Sequence, residues 1–200
     1  TSTSYPVTTS GVYELLTLTH YDDYAGLPAG LSSAYLTTWN SNFSNTDNNN
    51  WPYPQMPVQT SNVKGLATWT QVKVLGTANT YIYSVSIYDE KARLIQVQST
   101  NISNGIDVTT TQYTWAGQPL VTVQKQEKAG TNAQTHVVVT KTNYDDLGRI
   151  LNIKKTVNST INSITVNKPE QFIVKNEYNQ LGQLKKKTLG NNNLENLNYD

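Results

Sequence analysis

The feature that most constrains the fold is a short turn sequence that recurs between β-branched runs. Its best copy is YDDLGRI, Tyr144 to Ile150, which separates the runs 135–143 and 152–157. Two strand-like runs joined by a short Asp/Gly segment predict a β-hairpin. Gly148 stands where such a turn needs a residue at positive φ, and Asp145 can cap the turn amides with its carboxylate. The segment therefore predicts a hairpin turn.

Three further copies keep part of this turn sequence: Tyr178 with Gly182 and Leu184; Tyr88 with Asp89, Arg93 and Leu94 but Ala92 in the glycine place; and Tyr113 with Gly117. The chain ends on another Tyr-Asp pair, Tyr199-Asp200, which we expect to begin a further copy. Self-similarity at intervals of roughly 20 to 35 residues indicates stacked structural repeats, each of which buries its apolar face on the next.

The composition favours strands and turns over helices. The chain is rich in Thr, Asn, Tyr and Val, which suit strands and turns, and no window carries an apolar stripe at helical period. We therefore predict an all-β fold, in which antiparallel β-hairpin repeats form a curved, twisted sheet with one long irregular insertion.

Three regions are predicted along the chain. Residues 1–28 hold a first strand and a turn, and that turn differs from the later ones because Gly26 comes five residues after Tyr21. Residues 29–62 form an insertion loop rich in Asn, Pro and aromatic residues. Residues 63–200 hold the hairpin repeats and stop inside a further repeat. An irregular loop of this length is uncommon unless it is functional or disordered, and its aromatic residues argue against disorder.

Composition also excludes several classes of function. The chain has 15 Lys and Arg against 14 Asp and Glu, so it shows no basic footprint for nucleic acid. It has no Cys, which excludes disulfides, a thiol nucleophile and a Cys-based zinc site. No apolar run approaches the ~20 residues that a membrane span needs. No cofactor is indicated.

Acidic pairs are the most tempting chemical groups. The carboxylates of Asp22-Asp23 and Asp145-Asp146 could bind calcium or serve as the two carboxylates of a glycosidase. Turn capping explains both pairs better, since adjacent turn residues seldom converge on one substrate bond. His20 and His136 lie in separate predicted strands. We therefore assign no catalytic residue and no metal ligand, and we predict that the chain is not an enzyme.

The insertion offers one candidate binding feature. Trp39, Trp51 and Tyr53, with neighbouring Asn side chains, have the composition of a sugar-stacking platform. The same aromatic residues could instead cap the sheet, as the terminal units of repeat proteins do. The cap is the favoured explanation, and a carbohydrate- or surface-binding module is the alternative.

The recurring turns resemble those of the YD-repeat (RHS) proteins, whose signature is a Tyr-Asp pair, a Gly four residues after the Tyr, and then Arg and Leu. The resemblance covers about 81–200 well and 13–27 loosely, while 39–57 matches nothing in the repeat. It implies a long sheet coiled into a hollow shell, in large secreted or surface proteins of bacteria. In many of them the shell encloses a toxic C-terminal domain.

From this resemblance we expect a non-enzymatic segment of such a shell, located outside the cell or on its surface. Its main partner would be the rest of its own full-length chain, and glycans would be possible further partners. A glycan-active enzyme built on a β scaffold is the least favoured hypothesis.

Overall fold

The all-β prediction is confirmed. The computed structural model describes residues 14–44, 50–190 and 194–196. Strands make up 53% of the structure and helix 3%. The described helix is one 3-10 turn, Thr37–Asn42.

The strands form one open antiparallel sheet in which chain neighbours are sheet neighbours. The sheet order is β1-β3-β4-β5-β6-β7-β8-β9-β10-β11-β12, and the short strand β2 pairs with β6 off this path. The strand bounds are β1 Thr17–Tyr21, β2 Pro54–Gln55, β3 Ala67–Lys73, β4 Tyr81–Tyr88, β5 Leu94–Thr100, β6 Ile106–Thr114, β7 Pro119–Lys128, β8 Gln134–Tyr144, β9 Ile150–Ile161, β10 Ile164–Tyr178, β11 Leu184–Leu189 and β12 Leu194–Asn196.

The sequence pattern predicts strands over 81–88 and 94–100, and β4 and β5 have these bounds. Alternation over 13–21 predicts the first strand, but in the structure this strand begins at Thr17. Tyr13, where we expected it to begin, lies outside the described residues, as does the Tyr199-Asp200 pair.

One hairpin has no counterpart in the sequence analysis. The pattern predicts strands over 152–157 and 172–178, but β9 and β10 extend beyond these runs and join through Asn162 and Ser163, which have φ of 47° and 68°. Two successive positive φ values are typical of the tight type I′ hairpin turn. The usual Asn-Gly signal is missing because Ser takes the second place. The flanking strand residues 164–173 are exposed, so no apolar alternation marks them.

The core lies between one face of the sheet and described residues of the segment 22–66, which we call the strap. The strap connects β1 to β3 and extends beyond the predicted insertion loop at both ends. Two buried clusters lie under it: Trp69, Val85, Ile87 and Ile95, covered by Tyr24, Leu27, Leu31 and Tyr35; and Leu120, Val121, Val123 and Val139, covered by Trp39 and Phe43. The strap therefore covers an apolar surface that spans β3 to β8.

Three buried glutamines of the sheet hold the strap by its backbone. The Gln96 side chain accepts from the Leu36 N–H at 3.0 Å and donates to the Leu36 carbonyl at 3.0 Å. Gln112 forms the same pair of bonds with Ser44, at 2.8 and 3.0 Å. Gln98 bonds the Ser32 N–H and the Ala34 carbonyl. Because each amide offers a donor and an acceptor, each takes the place of a peptide group in a neighbouring strand.

Candidate functional site at the corner rim

The recurring turns lie at one rim of the sheet, which we call the corner rim. Each turn follows a tyrosine at a register shift in its strand, and we name the four corners after Tyr88, Tyr113, Tyr144 and Tyr178. In every corner the amide of the residue after the tyrosine donates to the carbonyl four residues on, over 2.8–3.0 Å. The residue four after the tyrosine has positive φ in all four: Ala92, Gly117, Gly148 and Gly182. The four turns are therefore equivalent.

The residue after each tyrosine caps its own corner. Asp145 Oδ1 accepts the amides of Leu147 at 3.0 Å and Arg149 at 2.8 Å, and Oδ2 accepts from Arg149 Nε at 2.6 Å. Desolvation alone would raise the pKa of Asp145, but the backbone amide and guanidinium of Arg149 lower it below its ordinary value. Asp89 repeats this set of contacts with Arg93. In these two corners the Asp and Arg of the signature serve turn geometry.

The degenerate copies keep the same geometry with other side chains. Asn179 accepts the amides of Leu181 and Gln183 at 3.0 and 2.9 Å, and its amide group donates to Gln183 Oε1 at 2.7 Å. Thr114 caps through its hydroxyl, which accepts the Gln118 amide at 3.1 Å. A neutral Asn-Gln pair thus replaces the Asp-Arg ion pair, and a hydroxyl replaces the carboxylate.

The tyrosine hydroxyls connect each corner to the one before it. Tyr113 donates to the Leu94 carbonyl at 2.8 Å, Tyr144 to Pro119 at 2.8 Å and Tyr178 to Ile150 at 2.9 Å. Each acceptor is the residue that pairs with the preceding tyrosine across its own hairpin. The result is a ladder of equivalent hydrogen bonds along the corner rim, and it fixes the register of successive hairpins.

The strap is inserted into a fifth corner, which follows Tyr21. Tyr88 donates to the Ala67 carbonyl at 2.8 Å, and Ala67 pairs with Tyr21 across β1 and β3. Asp22 then acts as the cap: its amide donates to the Leu66 carbonyl at 3.2 Å and its Oδ1 accepts the Gly65 amide at 2.6 Å. Gly65 has φ of 78°. Gly65, and not Gly26, is therefore the glycine of this corner, so the strap is inserted within a repeat turn.

In three of the corners, the residue five after the tyrosine contacts the next corner. The Arg93 guanidinium lies over the Tyr113 ring at 5.1 Å and donates to the Thr114 carbonyl at 3.0 Å. Arg149 lies over the Tyr178 ring at 4.4 Å. In the Tyr113 corner, Gln118 takes this place and donates to the Gly148 carbonyl at 2.8 Å. Cation–π contacts and hydrogen bonds therefore reinforce the tyrosine ladder.

The Tyr113 and Tyr144 hydroxyls of the ladder stay protonated donors at neutral pH. Burial raises the pKa of Tyr113 even though the Arg93 guanidinium opposes the shift. Burial also raises the pKa of Tyr144, against a hydrogen bond with the Thr142 side chain that lowers it. On the covered face, burial and the nearby Tyr88 raise the pKa of Tyr24 to about 12.

No family model and no curated protein matches this chain. Within the described ranges, the longest helix is a six-residue 3-10 turn, too short to cross a membrane. In the same ranges, no three His, Asp or Glu side chains cluster as a metal site would require.

The structure separates the three aromatic residues of the predicted binding loop. Trp39 packs on the covered face against the Leu120 cluster. Trp51 and Tyr53 lie together on the corner rim, with ring centroids 6.1 Å apart and perpendicular planes. Trp51 is 37% exposed and Tyr53 45%. The indole N–H of Trp51 points at the Tyr144 carbonyl, 3.4 Å away. Two of the three residues are thus brought together, and the third is not.

A third exposed rim aromatic, Trp115, was not singled out from the sequence. It is 66% exposed, its amide donates to the Tyr53 carbonyl at 2.9 Å, and the Lys91 ammonium lies 4.8 Å from its ring centre. One signal was available. The equivalent places in the other corners hold Glu90, Asp146 and Gln180, so Trp115 stands out as a large apolar residue at a polar turn position.

The two histidines lie apart from each other. His20 stacks on Trp69 with ring centres 5.4 Å apart, and its Nδ1 lies 3.0 Å from the Asp23 carbonyl. His136 hydrogen-bonds Ser159 in a different part of the sheet. Asp23 accepts the Ala25 amide at 2.7 Å. Both predicted acidic pairs thus include turn caps, as the sequence analysis favoured.

Ala92 gives a test of corner equivalence. It is the one non-glycine residue at the positive-φ place of the four continuous corners, with φ of 57°. Because an L side chain in this region costs free energy, Ala92→Gly is expected to raise the free energy of unfolding by about 0.5–1 kcal/mol. Urea denaturation would measure the change.

Gly182→Ala is the matched reverse substitution. Its Cβ would lie 2.9 Å from the Arg149 guanidinium at a φ of 82°, so it should destabilise the protein by about 1–2 kcal/mol. Equal stability of wild type and Ala92→Gly would mean that the Tyr88 corner differs from the others.

Proposed function

We propose that this chain is a non-enzymatic structural segment of a large secreted or cell-surface protein of the YD-repeat type, in which it forms part of a β-shell. The tyrosine ladder is the observation that carries the proposal. Each hydroxyl joins one corner to the equivalent position of the preceding corner, and the ladder continues across the strap at Tyr88 and Ala67. Contacts repeated between equivalent positions are what a stacked repeat architecture requires.

The chemistry of the corners supports an architectural role. The carboxylates of Asp89 and Asp145 are occupied by turn amides and by the arginine of the same corner. Glycoside cleavage needs two carboxylates that face each other across a substrate, roughly 5–10 Å apart. In our proposal these carboxylates hold the shell together, and the principal partner of the segment is the rest of its own polypeptide. In a bacterial protein of this type, the shell would enclose a toxic or effector domain.

Cryo-electron microscopy of the complete polypeptide that carries this sequence tests the proposal. We expect the strands of this segment to continue into neighbouring hairpins within one curved wall, with the corner rim aligned from repeat to repeat. A segment that stands alone on flexible linkers would overturn the proposal. Hydrolysis of a glycan by the purified chain, lost on Asp145→Asn, would also overturn it.

A further inference from the structure

A groove lies beside the Tyr88 corner, where the strap returns along the corner rim. Its volume is about 470 Å³. The strap supplies Gln55, Met56, Gln59 and Ser61 to the lining, and the corner supplies Glu90 and Arg93. The lining is thus rich in amide and hydroxyl groups, with one arginine and one exposed carboxylate.

Exposed aromatic residues adjoin the residues that line this groove. The Gln55 side chain donates to the Tyr53 carbonyl at 3.2 Å, which places Tyr53 next to the lining. Lys91 follows Glu90 in the same corner, and its ammonium lies over the Trp115 ring. The Trp51 ring contacts the Tyr53 ring edge-on. Three aromatic residues that are 37–66% exposed therefore lie next to residues of the groove, with Trp115 joined to Tyr53 through its backbone amide.

Tyr53 is held in a backbone conformation that a tyrosine rarely adopts. Its φ is 52°. Its amide donates to the Asn50 carbonyl at 2.8 Å and its carbonyl accepts from Trp115 at 2.9 Å, and these bonds fix the strained backbone. Strain of this kind costs about 1 kcal/mol or more and tends to occur where a side chain must be presented. Here it keeps an aromatic ring half exposed on the rim.

The backbone around the groove favours a ligand other than an added strand. Pro54 and Gln55 already pair with β6, and the Thr60 amide donates to the Tyr88 carbonyl at 2.9 Å. Strand addition needs an edge with open donors and acceptors. On this side, backbone groups of Pro54, Gln55 and Thr60 are instead already bonded to β6 and to the Tyr88 corner.

We infer that this groove and the rings of Trp115 and Tyr53 form a binding site for a neutral oligosaccharide. Exposed rings offer flat apolar faces to the C–H surface of a sugar, while Gln55, Gln59 and Ser61 offer donors and acceptors to its hydroxyls. The site binds without cleaving, because the Asp89 carboxylate is occupied by its own turn. This inference is independent of the shell proposal and adds a ligand to it.

Titration of the full chain with cellohexaose, chitohexaose and mannohexaose tests the site by isothermal calorimetry and tryptophan fluorescence. At least one of these should bind saturably, and Trp115→Ala should weaken binding at least tenfold. Tyr53→Asn removes the second ring and keeps a residue that tolerates positive φ, so it should weaken binding without unfolding the chain.

Phe172→Ala is the matched control. Phe172 is a 38% exposed ring that also lies beneath lysines, Lys154 and Lys175, but it is not part of the groove. It should leave the affinity unchanged. The inference is overturned if none of the three sugars binds at millimolar concentration, or if Phe172→Ala weakens binding as much as Trp115→Ala. It is also overturned if a proline-rich peptide, which favours aromatic grooves, binds the rim while the sugars do not.

Discussion

Replacing Asp89 by alanine is expected to lower the free energy of unfolding by about 3 kcal/mol. Asp89 is 5% exposed and accepts the amides of Lys91 at 3.0 Å and Arg93 at 2.9 Å, in addition to the Arg93 guanidinium at 2.6 Å. Alanine would leave two turn amides without their acceptor and a largely buried guanidinium without its counter-ion. The loss exceeds that of an exposed ion pair, because these groups cannot all return to water.

Chemical denaturation would measure this effect, and the neighbouring residues provide matched controls. Glu90→Ala removes an exposed carboxylate from the same turn, so it should change stability by no more than about 0.5 kcal/mol. Asp89→Asn should cost less than Asp89→Ala, because an amide oxygen can still accept the turn amides, as Asn179 does in the Tyr178 corner. If Asp89→Ala were no more costly than Glu90→Ala, capping would not be the reason for the Asp of the signature.

The corners could be predicted from the sequence because their determinants are local. Gly148 and Asp145 are three residues apart in the printed sequence, and their roles follow from turn geometry alone. The same reasoning extends to the degenerate Tyr113 corner, where the tyrosine and glycine keep their places although Thr114 replaces the capping carboxylate. Local pattern therefore specifies the turns and, through them, the antiparallel sheet.

An insertion is predicted over 29–62, but its placement on the sheet could not be predicted, because the determinants of that placement are distant in sequence. The opened corner is completed by Asp22 and Gly65, which are 43 residues apart, and neither shows which partner it meets. Gln96 and Gln98 alternate with apolar residues in β5, so the sequence does not show that their amides are covered. The two glutamines are buried only because the strap covers that face of the sheet. The same long-range contacts separate Trp39 from Trp51 and Tyr53.

The opened Tyr21 corner shows how a repeat sheet can accept a 45-residue strap, residues 22–66, without losing its register. The tyrosine ladder passes the insertion because Ala67 still presents its carbonyl to Tyr88. The corner is closed by the same kinds of bond as the others, from the Asp22 amide and to the Asp22 carboxylate. The entropic cost of closing a loop rises only slowly with its length. Attachment along the strap therefore matters more than attachment at its two ends. The buried glutamines supply that attachment.

Gln96→Leu is therefore expected to cost about 3 kcal/mol of the free energy of unfolding and to loosen the strap. Leucine has a similar volume but no polar atoms, so the amide and carbonyl of Leu36 would both lose their partner in a dry environment. The Gln98 and Thr110 side chains, which hydrogen-bond the Gln96 side-chain amide, would each lose a partner as well. The large cost follows because Gln96 is 1% exposed.

Hydrogen exchange separates loss of the strap contact from general destabilisation. In Gln96→Leu the Leu36 amide should exchange faster by a larger factor than amides of β8 and β9, because it loses its direct acceptor. Gln124→Leu, on an exposed site of β7, is the control and should leave both stability and the Leu36 amide unchanged. If the Leu36 amide stayed as protected as the strands in Gln96→Leu, the apolar side chains of the strap alone would hold it on the sheet. In that case the glutamines would satisfy polar groups without attaching the strap.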